Sequence, residues 1–117
     1  MQNGLTYGCT KQQMLKYKEQ EIFSASPERL ILYLYDHIIR CCSLQDDLGA
    51  TRAIAELIDG LNFEYKEISK GLLRLYDYCL TRIRAGQFDE PKMIIKELRK
   101  NWEISLNNMH QAAVQGV

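Results

Sequence analysis

The segment from Ser26 to Cys42 constrains the fold more than any other part of the chain, because it winds into a helix with too much apolar surface. Its start is legible: Ser26 caps an N-terminus, Pro27 suits the first helical position, and Glu28 complements the helix dipole. At about 100° per residue, Leu30, Leu34 and Cys41 fall at one margin and Leu32 and Ile39 at the other. Ile31, Tyr35, Ile38 and Cys42 lie between them, so the apolar arc is roughly 200° wide, about double what a surface helix needs. Arg29, Asp36, Arg40 and Ser43 occupy the narrow polar side. Such a helix is central in its own domain or is partly covered by something else.

The remaining chain supplies partners of the same kind. Residues 1–10 read as a flexible leader, and 11–24 as a short helix with a thin apolar stripe. Asp46, Asp47 and Gly49 are turn chemistry after the organising helix, which spans 26–43. Ile54, Ile58, Leu61, Tyr65 and Ile68 then recur at spacings of four and three residues, which predicts a bundle helix over 50–69. Lys70-Gly71 reads as a break, followed by a helix over 72–85 closed by Gly86. Asp89-Glu90-Pro91 opens a last helix over 90–113, where Ile95, Leu98, Trp102 and Met109 keep the same rhythm. No strand-like alternation occurs. The expectation is one all-α domain over 1–117, an antiparallel up-down four-helix bundle with a short extra N-terminal helix.

Composition narrows the function classes. The 117 residues are 46% hydrophobic and 26% charged, and 15 basic residues balance 15 acidic ones. Without an excess of clustered positive charge, no nucleic-acid partner is expected. No apolar run reaches the roughly 20 residues that span a bilayer, so no stable membrane insertion is expected, and the first ten residues lack the apolar stretch of a signal peptide. Cys9, Cys41, Cys42 and Cys79 show no Cys-x-x-Cys spacing, and reduced core thiols of a cytoplasmic protein are the expectation. Neither His37 nor His110 has a Glu three residues before it, which argues against a di-metal bundle. There is no glycine-rich phosphate loop. Neither an enzyme nor a cofactor or metal site is expected. Seven tyrosines stand out, with Tyr33/Tyr35 and Tyr76/Tyr78 in alternating pairs that split across helix faces.

Ser26-Pro27-x-x-Leu30-x-x-x-Leu34-Tyr35-Asp36 resembles the signature opening the second helix of flagellar secretion chaperones, the FliS family. Tyr17, Glu67-Ile68-Ser69, Leu75-Tyr76-Asp77-Tyr78 with Arg82-Ile83, and Leu98-Arg99-x-x-Trp102 continue the resemblance in order. Three departures stand beside it. Met14 occupies the place of a frequent tyrosine, the hairpin between the second and third helices is shorter by about four helical turns in total, and the stretch before Leu98 is short.

The resemblance implies a cytoplasmic export chaperone that binds the disordered C-terminal segment of flagellin in apolar grooves and blocks premature filament growth. It also implies contacts of some members with an export-gate subunit or an accessory chaperone, and an N-terminal cap, here Tyr7, Met14, Tyr17 and Ile22. Leu30, Leu34, Ile38, Tyr76, Leu80 and Leu98 are expected mainly in the core. Ile31, Leu32, Tyr35, Ile39, Leu73 and Tyr78 are the expected client-binding residues. Two alternatives stand: a bundle that self-associates through the broad apolar arc, and a related chaperone for a different secreted or regulatory protein.

Overall fold

The computed structural model describes residues 26–115, with side chains described to Met109. The expected helix over 11–24 and the cap residues Tyr7, Met14, Tyr17 and Ile22 lie outside the described residues. The chain divides after Leu30 into two units, 1–30 and 31–117, and the packing below is that of the second unit.

Among the described residues there are four helices and no strands: α1 (Pro27–Ser43), α2 (Asp47–Asp59), α3 (Lys66–Arg84) and α4 (Asp89–Gln115). Two of their ends share one device. After α3, Gly86 takes φ +78°, Gly86 N–H donates to the Ile83 carbonyl and Gln87 N–H to that of Arg82. After α1, Gln45 takes φ +55°, with Gln45 N–H on Cys42 and Asp46 N–H on Cys41. Both are Schellman closures with a left-handed residue just past the helix. Only the first carries the glycine that makes it legible in sequence. Asp46 then starts α2 at once, its Oδ1 accepting from Gly49 N–H at 3.0 Å, so α2 begins three residues before the expected Ala50.

The expected helix over 50–69 is two pieces. The chain leaves α2 at Gly60, and Asn62 organises the connection. Its side chain accepts from Glu64 N–H at 3.0 Å, and its carbonyl accepts from Tyr65 N–H and, at 2.5 Å, from the Ser69 hydroxyl. A short polar side chain that bonds its local backbone gives the chain an alternative to continuing the helix. The seam spacing carried no trace of that competition. Conversely, α3 runs straight through Lys70-Gly71, where a break was expected. A Cβ at Gly71 would meet nothing within 4 Å, so its lower helix propensity of about 1 kcal/mol is the only local opposition to helix there.

Tyr35, Ile38, Cys41 and Cys42 of α1 join Ala50, Ala53, Ile54 and Leu57 of α2, Tyr76, Cys79 and Ile83 of α3, and Ile95 of α4 in one core. The pairings fix the helix directions. Tyr35 meets Tyr76, and Cys42 lies within electrostatic reach of Cys79, so α1 and α3 run parallel. Asp36 meets Arg99, and Cys42 feels Lys92, so α1 and α4 run antiparallel. Tyr78 and Arg82 both reach Glu90 across the α3–α4 turn. This is the alternation of an up-down four-helix bundle.

Candidate binding surface

The wide arc of α1 is used across its width. Leu32, Tyr35, Ile38, Cys41 and Cys42 are buried, whereas Ile31, Leu34 and Ile39 are half-buried against the core. Two of the expected client contacts therefore need correction as surface residues: Tyr35 is 2% exposed and Leu32 is 7% exposed. For Tyr35 the reason is a partner, since its hydroxyl lies 2.7 Å from that of Tyr76 inside the core. Burial pushes both phenols above the usual tyrosine range, so the pair is neutral. Each buried hydroxyl satisfies the other, which makes burial tolerable.

Ile31, Ile39 and Leu73 are half-buried, and Tyr78 is exposed. The Tyr78 hydroxyl donates to Glu90 at 2.5 Å, and that hydrogen bond, more than anything else, raises its pKa. Arg82 stacks over the Tyr78 ring at 5.7 Å and faces Glu90 at 3.6 Å. Of the residues expected in the core, Ile38 and Tyr76 are buried, and Leu34, Leu80 and Leu98 pack against the core half-buried. Leu30 is half-buried. His37 is half-buried with Nε2 at 3.5 Å from the Cys41 sulfur.

The spacing also misplaced residues that now stand outside. Tyr65 and Ile68 were expected in the seam of a long second helix but are 65% and 67% exposed, because the Asn62 turn moves them to the start of α3. Ile68, Leu75 and Arg82 follow one another every seven residues, which puts them on one line along α3. At the end of that line Arg82 forms an ion pair with Glu90 in the first turn of α4. Ile68 and Leu75 thus stand exposed on the same line of α3 as Arg82, while Ile94 and Leu98 of α4 pack half-buried against the core. Seven-residue spacing on the correct helix was the available signal, and the misplaced break concealed it.

The thiols of Cys41, Cys42 and Cys79 are buried; burial pushes Cys79 up to about 12 and raises Cys42 as well. Among the described residues no group of three or more His, Cys, Asp or Glu could hold a metal ion, and no helix is long and apolar enough to cross a membrane.

The fold and surface define a helical-bundle protein that keeps apolar side chains along its outer edges. A family model described as Flagellar protein FliS matches residues 10–113, and the chain belongs to that family. It is a family of flagellar export chaperones, and its members bind flagellar proteins. No curated protein and no solved structure matches the chain.

Proposed function

We propose that this protein is a cytoplasmic chaperone of the type III flagellar export system that binds the disordered C-terminal segment of flagellin. By occupying that segment it prevents premature polymerisation, and it supports delivery of flagellin to the export apparatus, with an export-gate subunit or an accessory chaperone as further partners. One structural observation supports the reading beyond family membership. Apolar side chains keep exposed surface along two helices: Ile68 and Leu75 on α3, and Ile31 and Ile39, half-buried against the core, on α1. A disordered segment gains an apolar environment by laying a helical face on such edges, and its ordering costs about 2–5 kcal/mol of the contact energy.

Ile31, Ile39, Leu73 and Tyr78 remain in the proposed client surface, extended by Ile68 and Leu75. Leu32 and Tyr35 support it from the core. The test is calorimetric titration of the full chain with the C-terminal segment of flagellin from the same organism, with circular dichroism of the mixture. Saturable one-to-one binding, a gain in helicity and a negative heat-capacity change are expected. A folded monomer that gives no heat and no helicity gain removes flagellin as the client.

A further inference from the structure

The apolar spacing that predicts one helix over 50–69 is unbroken in the sequence. Ile54, Ile58, Leu61, Tyr65 and Ile68 keep the four-three rhythm through the connection at 60–65, which contains no proline. The fold breaks that rhythm and leaves part of it in water. Ile54 is fully buried and Leu61 half-buried, but Tyr65 and Ile68 stand 65% and 67% exposed, with Phe63 48% exposed beside them.

The backbone of the connection does not forbid helix. Among the described residues only Gln45 and Gly86 have positive φ among those with and without a side chain, and Gly60 keeps φ at −87°. The break is held by Asn62. Its side chain accepts from Glu64 N–H, and its carbonyl from Tyr65 N–H and the Ser69 hydroxyl. In a continuous helix that carbonyl accepts from Lys66 N–H instead, and the Ser69 hydroxyl bonds back to the Tyr65 carbonyl. Rewinding the connection therefore orphans none of these groups.

We propose that the 60–65 connection is a hinge: rewound as helix it fuses α2 and α3, and two such chains exchange their α1–α2 halves to form a dimer. The fused helix runs from Asp47 to Arg84, about 57 Å at 1.5 Å per residue, and cannot fold back on itself. Each copy's α1 and α2 therefore pack on α3 and α4 of the second copy. The core contacts, Tyr35–Tyr76 and Asp36–Arg99 included, are remade between copies. One contact is new. Where the two long helices cross at the two-fold axis, Tyr65 and Ile68 of each copy meet those of the other, covering side chains that the monomer leaves in water. The exchange does not rest on which client is bound, and it takes Ile68 out of the proposed client surface.

Hinge variants separate exchange from surface pairing. The full chain is unfolded in urea and refolded by dilution at about 5 µM and about 500 µM, so that mass action distinguishes folding alone from pairing. Size is read by sedimentation velocity. The native chain should give monomer at the low concentration and a dimer fraction at the high one. That dimer should persist on dilution, because separating the copies requires opening both cores, and should revert to monomer once urea unfolds it. Phe63→Pro should stay monomeric at both concentrations. Phe63 is the second residue of the Asn62–Tyr65 turn, where proline is favoured, and proline there breaks the fused helix. G60A/N62A raises helix propensity in both chains and should increase the dimerisation constant about tenfold or more. A native chain that stays monomeric at the high concentration overturns the proposal. So does a dimer that falls apart on dilution, or a Phe63→Pro variant that dimerises as the native chain does. A dimer seen only with G60A/N62A is a product of the substitutions and overturns it equally. Should Phe63→Pro lose its cooperative transition, the native and G60A/N62A chains decide by the persistence of their dimers on dilution.

Discussion

The guanidinium of Arg99 grips the carboxylate of Asp36 through two nitrogens, across 63 residues of sequence, and so ties α4 to α1. Arg99 also reaches Glu103 at 3.5 Å, one turn further along α4. The hydrogen bond to Asp36 is the main reason the Arg99 pKa is raised. Both side chains keep about a third of their surface in water, so solvent screens the pair. A double-mutant cycle with Asp36→Ala and Arg99→Ala should give a coupling of about 0.5–1 kcal/mol in urea unfolding, shrinking at high salt. A coupling that ignores salt would place the pair in a drier environment than this geometry.

Gln45 holds a left-handed conformation that costs a side-chain-bearing residue roughly 1–2 kcal/mol. Gln45→Gly should therefore raise the unfolding free energy by about 1 kcal/mol, because the Schellman closure is kept and the strain removed. Gly86→Ala at φ +78° should do the opposite by a similar amount. Thermal midpoints of the two variants should move apart in opposite directions.

Gly49 and Gly71 separate two roles of glycine. A Cβ at Gly49 would come within 2.4 Å of the Asp46 carboxylate and 2.8 Å of the Cys41 sulfur, so Gly49→Ala displaces both the α2 cap and a core thiol. A loss of about 1–2 kcal/mol is expected from the lost cap and the crowding. Gly71→Ala meets open space inside α3 and should stabilise by about 0.5–1 kcal/mol. Denaturant midpoints that fall for both variants would mean that α3 is not helical at Gly71.

Alkaline stability follows from the buried thiol of Cys79. Its folded pKa is raised from 9.0 to about 12, so the folded state binds the proton more tightly than the unfolded chain. The contribution is complete below about pH 9 and is lost progressively as pH rises toward 12. Cys42, Tyr35 and Tyr76 are shifted in the same direction by burial and steepen the fall. Cys79→Ala should flatten the pH dependence of the unfolding free energy between pH 9 and 12, whatever it does to stability at neutral pH.

For the client surface, alanine at Ile68, Leu75 or Tyr78 should weaken flagellin-segment binding about tenfold each where the residue is an anchor, with helicity unchanged. Tyr35→Ala should instead unfold or loosen the bundle, because it leaves the buried Tyr76 hydroxyl unsatisfied at a cost of about 1–3 kcal/mol. Titration paired with circular dichroism separates the two outcomes.

Much of the fold was legible because its signals are local. Ser26-Pro27, Gly86 and Asp89-Glu90-Pro91 mark boundaries through the conformations those residues favour, and the four-three rhythm marks helices through burial. The α2–α3 boundary escaped because it depends on the Asn62 carbonyl accepting from Ser69, seven residues on, a contact that periodicity does not encode. The Gln45 closure escaped because no glycine announces it.

The sequence by itself determined an all-helical chain, the broad apolar arc of α1, the balanced charge and the ordered motifs of a FliS family member. Those are properties of local spacing and residue chemistry. Tertiary structure decided how deeply each side chain of α1 is buried, which placed Tyr35 and Leu32 inside and left Ile31 and Ile39 half-buried against the core. It also decided that Ile68 and Leu75 stand exposed on α3. The physical reason is that spacing shows only which residues share a helix face, whereas the Tyr35–Tyr76 and Asp36–Arg99 bonds join residues 41 and 63 positions apart and exist only once the helices are packed.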